Sequence, residues 1–225
     1  MVNHMRLAIS AAILIAFCSA GSWADDTAAI RKKAESGDAA AQFELAQYYV
    51  SEARNARSER RAKRDWKQAV EWYSRSAEQD YAKAQFILGR MYIVGDGVAQ
   101  DNSQGVDWQV KAAEQGLAEA QFEIGNLYLS GVNLEQDSES GLDLLNKAAN
   151  QRHRPAQKQL GTMYFQGMAV AKDLVQAHMW FSVAALNEDQ AAQGYLSMLE
   201  SVMDEAQIED AQALAAQWQA DHMGE

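Results

Sequence analysis

The sequence predicts an all-α protein: a right-handed α/α solenoid of about four helix-pair repeats, closed by a C-terminal helical cap. Three observations carry that prediction. Residue types recur every 36 positions, apolar residues within each period fall at helical spacing, and Gly and Asp punctuate the period at fixed places. The 225 residues are 48% hydrophobic, enough for one sizeable core, and one Pro beside 14 Gly argues against collagen-like or disordered classes. A net charge of −11 argues against a nucleic-acid binder with a broad basic face.

The first element is a leader rather than part of the fold. Arg6 gives a short basic start, Leu7 to Ala20 is an apolar run, and Ser22-Trp23-Ala24 places small residues before Asp25-Asp26. This pattern predicts a secretory signal over 1–24, cleaved after Ala24, and a periplasmic or secreted product. The run is short for a membrane anchor. Phe17 stands where a lipoprotein signal before Cys18 wants a small residue. Cleavage removes the only cysteine, so no disulfide framework supports the mature chain.

A single repeat domain is expected over 25–220, with units near 38–81, 82–117, 118–153 and 154–190 and a cap over 191–220. Ala84, Ala120, Ala156 and Ala192 stand 36 apart, as do Gly89, Gly125 and Gly161, and Asp101, Asp137 and Asp173. A first unit precedes them at a step of 43, from Phe43 to Phe86 and from Tyr49 to Tyr92. Each unit reads as two helices. Ala84, Leu88, Met91 and Tyr92 lie on one helical face, and Gly95-Asp96-Gly97 breaks the helix. Asp101 then caps the second helix, which places Trp108, Ala112 and Ala113 on its inner face. Gly89 sits mid-helix, where Gly costs about 1 kcal/mol relative to Ala. Its recurrence predicts helices packed too closely for a Cβ.

The cap is expected to pack Ile208, Ala211, Leu214, Ala215 and Trp218 on one helical face. The step of 43 makes room for an insertion near 52–67. Seven basic residues lie between Arg54 and Lys67 with Glu59 and Asp65, a net +5. On a helix, Arg57, Arg60, Arg61 and Arg64 share one face, the spacing of a grip on carboxylates; a solvated helix extension is the alternative.

Ala84-Gln85-Phe86-Ile87-Leu88-Gly89-Arg90-Met91-Tyr92, Gly95-Asp96-Gly97, Asp101, Trp108 and Lys111-Ala112-Ala113-Glu114-Gln115-Gly116 together resemble a Sel-1-like repeat, a relative of tetratricopeptide repeats. Asn133 and Ala169 replace the second loop Gly, and Leu144 replaces the Trp. The resemblance implies a non-enzymatic protein-interaction scaffold or regulator, engaging an envelope protein or the periplasmic part of a membrane protein. A cell-wall ligand binder or lactam-hydrolase-like enzyme is an alternative, although lactam-hydrolysing relatives resemble disulfide-stapled proteins and this mature chain has no cysteine. An exported effector acting on a host protein is another.

No nucleophile–base pair, phosphate loop or dinucleotide fingerprint stands out, no metal spacing occurs, and no cofactor is expected. His178 is expected on the surface or between helices. Tyr48, Met91, Leu127 and Met163 form a column read as interhelix core. One turn earlier, Glu44, Ile87, Glu123 and Gln159 vary in type, as partner-reading positions would. The expected partner is a protein, engaged there or, if acidic, through the four arginines.

Overall fold

The computed structural model describes residues 23–186 and 190–223, so the expected leader lies almost wholly outside the described residues. Among the described residues the chain is helical throughout, with no strand. An opening helix, α1 (Trp23–Glu35), precedes four antiparallel pairs: α2 (Ala39–Arg54) with α3 (Glu59–Ala77), α4 (Ala82–Val94) with α5 (Asn102–Glu114), α6 (Ala118–Ser130) with α7 (Ser138–Asn150), and α8 (Arg154–Gln166) with α9 (Leu174–Ala185). Two further helices, α10 (Gln190–Glu200) and α11 (Glu205–Met223), close the chain. Each second helix also packs on the first helix of the next pair, which makes the array a solenoid. None of these helices is long and apolar enough to cross a membrane.

The punctuation residues act as their chemistry requires. Gly95, Gly131 and Gly167 end the first helices in the left-handed conformation, which costs Gly nothing. Asp101, Asp137 and Asp173 cap the second helices, the Asp101 carboxylate accepting from the Gln104 N–H at 3.0 Å. The glycine column is a close helix contact. A Cβ on Gly89 would lie 2.5 Å from the Gly105 carbonyl oxygen, and one on Gly125 3.0 Å from that of Gly141. In the fourth pair Gly161 faces the Phe181 ring instead.

A glutamine ladder ties successive pairs together. Gln42, Gln85, Gln121 and Gln157 are buried, and each donates its side-chain amide to a carbonyl eight residues back, such as Gln85 to Ala77 at 3.1 Å. In the first three the amide oxygen accepts from the next turn: Gln79 to Gln42 at 2.7 Å, Gln115 to Gln85 at 2.6 Å and Gln151 to Gln121 at 2.7 Å. Every rung adds a second donor to a carbonyl near a helix end that already accepts the N–H of the following turn, so both its lone pairs are used.

Two expectations are corrected, and the insertion near 52–67 proves to be helical. The first unit's extra residues do not sit in a loop. They lengthen α2 to 16 and α3 to 19 residues, against 13 in each helix of the second pair, and shorten the connection to 55–58. Arg57 therefore lies in that connection, before the cap residue Ser58, and does not share a helix face with Arg60, Arg61 and Arg64. In the cap, Ala211, Ala215 and Trp218 are buried but Leu214 is 40% exposed, because it falls at the edge of their stripe, roughly a fifth of a turn off its centre. Helix α11 also runs back over α9 rather than pairing along α10.

Candidate protein-interaction surface

The first helices bring the expected reading positions into register. Glu44 on α2 is exposed; Ile87, Glu123 and Gln159 on α4, α6 and α8 are half-buried. Neighbouring repeats are bonded along this row by residues one turn apart in the pattern. Arg90 on α4 reaches Glu123 on α6 at 3.5 Å, and in the equivalent place Gln159 on α8 donates to the Asn126 side chain on α6. Gln109, from the second helix α5, donates to the other Glu123 oxygen at 2.8 Å. Burial pushes the Glu123 carboxyl above its usual range, while Arg90 and the Gln109 bond pull it back. The column of Tyr48, Met91, Leu127 and Met163 is mainly core: both methionines are buried and the other two half-buried.

The basic residues split into two groups. Arg61 pairs with Glu52 across the α2–α3 connection and approaches the Asp65 carboxylate at 3.5 Å. Arg64 grips the other Asp65 oxygen through two nitrogens at 2.8 and 2.9 Å. Asp65 is only 2% exposed, so these two arginines neutralise a buried charge, and Arg61, through Glu52, also ties α3 to α2. The hydrogen bond to Glu52 raises the Arg61 guanidinium further. Lys63 pairs with Glu59 at 2.7 Å one turn away. Arg57 and Arg60 are exposed, and among the described residues neither makes an ion pair or side-chain hydrogen bond. The hairpin thus presents two uncommitted guanidinium groups on a scaffold built by two committed ones.

The fold gathers one constellation that sequence reasoning passed over. His178 on α9 lies 3.3 Å from the Ser182 hydroxyl and 3.4 Å from the Glu200 carboxylate on α10. The Ser–His spacing of one helical turn was visible in the sequence; the carboxylate, from another helix, was not. His178 is 2% exposed, and the trio bridges α9 and α10. No group of His, Cys, Asp and Glu suited to a metal ion occurs among the described residues.

The same repeat is what the family model for the Sel1 repeat matches, at residues 39–81, 82–117, 118–153 and 154–189. The chain belongs to the Sel1 repeat family. Among solved structures it resembles a Sel1 repeat protein from Oxalobacter formigenes, at 32% identity with a TM-score of 0.68, over 78% of this chain and 49% of that one. It also resembles c5321, described as a protective antigen of uropathogenic Escherichia coli strains with an SLR fold, at 27% identity and a TM-score of 0.54, over 89% of this chain and 49% of that one. The chain thus spans about half the length of these relatives. No curated protein matches it. Sel1 repeat proteins generally mediate protein–protein interaction, and this chain has the helical scaffold for that role.

Proposed function

We propose that this Sel1 repeat protein is an exported, non-enzymatic scaffold or regulator that binds an envelope protein or the periplasmic part of a membrane protein. The observation that carries the reading is the α2–α3 hairpin, with Arg57 and Arg60 exposed and unpaired beside Arg61 and Arg64, which are held on Glu52 and Asp65. A free guanidinium grips a carboxylate with two parallel bonds, so an acidic protein partner suits this end. The half-buried row through Ile87, Glu123 and Gln159 offers the same partner a second contact without the basic charge of the hairpin.

The test places a photo-crosslinking residue at position 60 or 87 in intact cells and identifies the captured chain by mass spectrometry. Arg57→Glu with Arg60→Glu should keep the melting temperature and lose the captured partner. A double variant that keeps its partner overturns the role of the hairpin, and capture only of cytoplasmic proteins overturns the envelope assignment. N-terminal sequencing of the osmotic-shock fraction should find Asp25 first.

A further inference from the structure

Helix α10 stands where the first helix of a fifth repeat would stand. Ala192 continues the column of Ala84, Ala120 and Ala156, and it is buried like them. The second helix that would cover it is missing, because α11 lies against α9. Ser197 continues the column of Gly89, Gly125 and Gly161, and it is exposed, whereas those three glycines are all closely covered. The array also has no further repeat beyond α10 to pack on its outer face, and the side chains bare at this end are apolar: Tyr195 is 36% exposed, Met198 40% and, in the turn after the helix, Val202 64%. By register, Tyr195 and Met198 follow Gln159 and Thr162 one repeat on, so first-helix positions that are polar in the preceding two repeats turn apolar at the last step. Tyr195 is pre-set by stacking on Phe181, with ring centroids 4.5 Å apart.

The charge around this patch has one sign. Residues 190–223 hold six acids and no Lys or Arg. Glu205, Glu209 and Asp210 are exposed on the first turns of α11, next to the Val202 turn. A second copy of the chain placed face to face would bring these acids against their own equivalents, and an acidic partner would be repelled. An apolar stripe with basic flanks buries Tyr195, Met198 and Val202 and meets the acids with opposite charge.

We propose that the C-terminal end of the solenoid is a second docking surface, separate from the basic hairpin, and that it takes a basic amphipathic helix of a partner. The helix lies along the face of α10 that carries Tyr195 and Met198, where the array would otherwise continue. The protein then joins two partners of opposite character, one at each end of the array.

The experiment uses the full chain and a fluorescent 18-residue Leu/Lys peptide patterned with one apolar helical stripe, read by anisotropy at 0.15 M salt. Two controls have the same length: a Leu/Lys peptide of identical composition without a stripe, and a Leu/Glu peptide with one. The striped Leu/Lys peptide should bind at least tenfold more tightly than either control and slow amide exchange across residues 193–202. Met198→Ser with Val202→Ser, at exposed sites, should keep the melting temperature and lose at least tenfold in affinity. Glu209→Gln with Asp210→Asn should weaken binding and flatten its salt dependence, and Arg57→Glu with Arg60→Glu should leave it unchanged. Equal binding of the stripeless peptide would show charge attraction alone and overturn the proposal. So would full binding by the Ser variant, or dimerisation of the chain through Met198 and Val202, which would make the patch a self-interface.

Discussion

Gly89 and Gly194 are both helical glycines, and an added methyl group should act on them in opposite directions. At Gly89 the methyl meets the Gly105 carbonyl and the Gln109 side chain, so two backbones must separate. Gly89→Ala should cost on the order of 1–3 kcal/mol through overpacking. At Gly194 the methyl meets open space, and Gly194→Ala should stabilise by about 0.5–1 kcal/mol through helix propensity and reduced unfolded-state freedom. Urea midpoints measure both, and a shift of the same sign for the two variants would contradict the packing described. His153 supplies a pH test. It precedes α8, its ring lies 4.9 Å from that of Phe122, and its buried Nδ1 has no hydrogen-bond partner. Burial lowers its pKa below the ordinary 6.5, with Glu119 acting weakly in the other direction. A lowered histidine pKa means that the unfolded chain takes up the proton first. The stability contributed by neutral His153 is complete above pH 6.5 and is lost as pH falls through that value toward the folded pKa. Wild type should therefore lose stability relative to His153→Gln between pH 7.5 and 5.5. A constant difference in melting temperature across that range would sink the assignment.

At the scale of the element, the turn between repeats repeats a backbone demand that the sequence meets unevenly. Gly37, Asp80, Gly116 and Arg152 occupy the same place in successive units, and all four have positive φ. A side chain in the left-handed region costs roughly 1–2 kcal/mol. Arg152→Gly should therefore raise stability, by up to about 1 kcal/mol once the added freedom of Gly in the unfolded chain is set against the relief. Thermal melts check this, and destabilisation would show that the Arg152 side chain makes a contact outweighing the strain. The helix pairs, caps and loop glycines were legible from spacing because each is a local event within one 36-residue period. The Gln42, Gln85, Gln121 and Gln157 column was equally regular in the sequence. Its meaning was not legible, since its bonds join carbonyls and amides of different helices. The hairpin was misread for a related reason. Helical spacing groups Arg57 with Arg60, Arg61 and Arg64, but Ser58 accepts a hydrogen bond from the Arg61 N–H and starts α3 one residue after itself. Burial of Asp65, which commits Arg61 and Arg64, depends on how α3 packs and cannot be seen in a charge count.

At the scale of the whole molecule, the array has no single central core. Its buried residues form four clusters in sequence, each shared by neighbouring helices, so stability is a sum of local units and the interfaces between them. The end of such an array is its weak point, and α11 closes it with one tryptophan. Trp218 is buried, its indole N–H donates to the Asn150 side chain at the end of α7 at 3.0 Å, and its ring meets Trp180 of α9 edge-on at 6.2 Å. It joins the cap to the third and fourth pairs, with Ala215 buried in the same cluster. Trp218→Ala should cost on the order of 3–5 kcal/mol, by lost burial and the cavity left against Trp180. Trp218→Phe keeps most of the ring contact and loses the bond to Asn150, so it should cost less, on the order of 1 kcal/mol for that bond. Because each unit contacts only its neighbours, the damage should stay local. Amide exchange in Trp218→Ala should speed up through α9, α10 and α11 and the end of α7, while α2 to α5 keep their wild-type protection. A uniform loss of protection along the chain would mean that the repeats unfold as one cooperative block, and that the cap stabilises the first unit as much as the last.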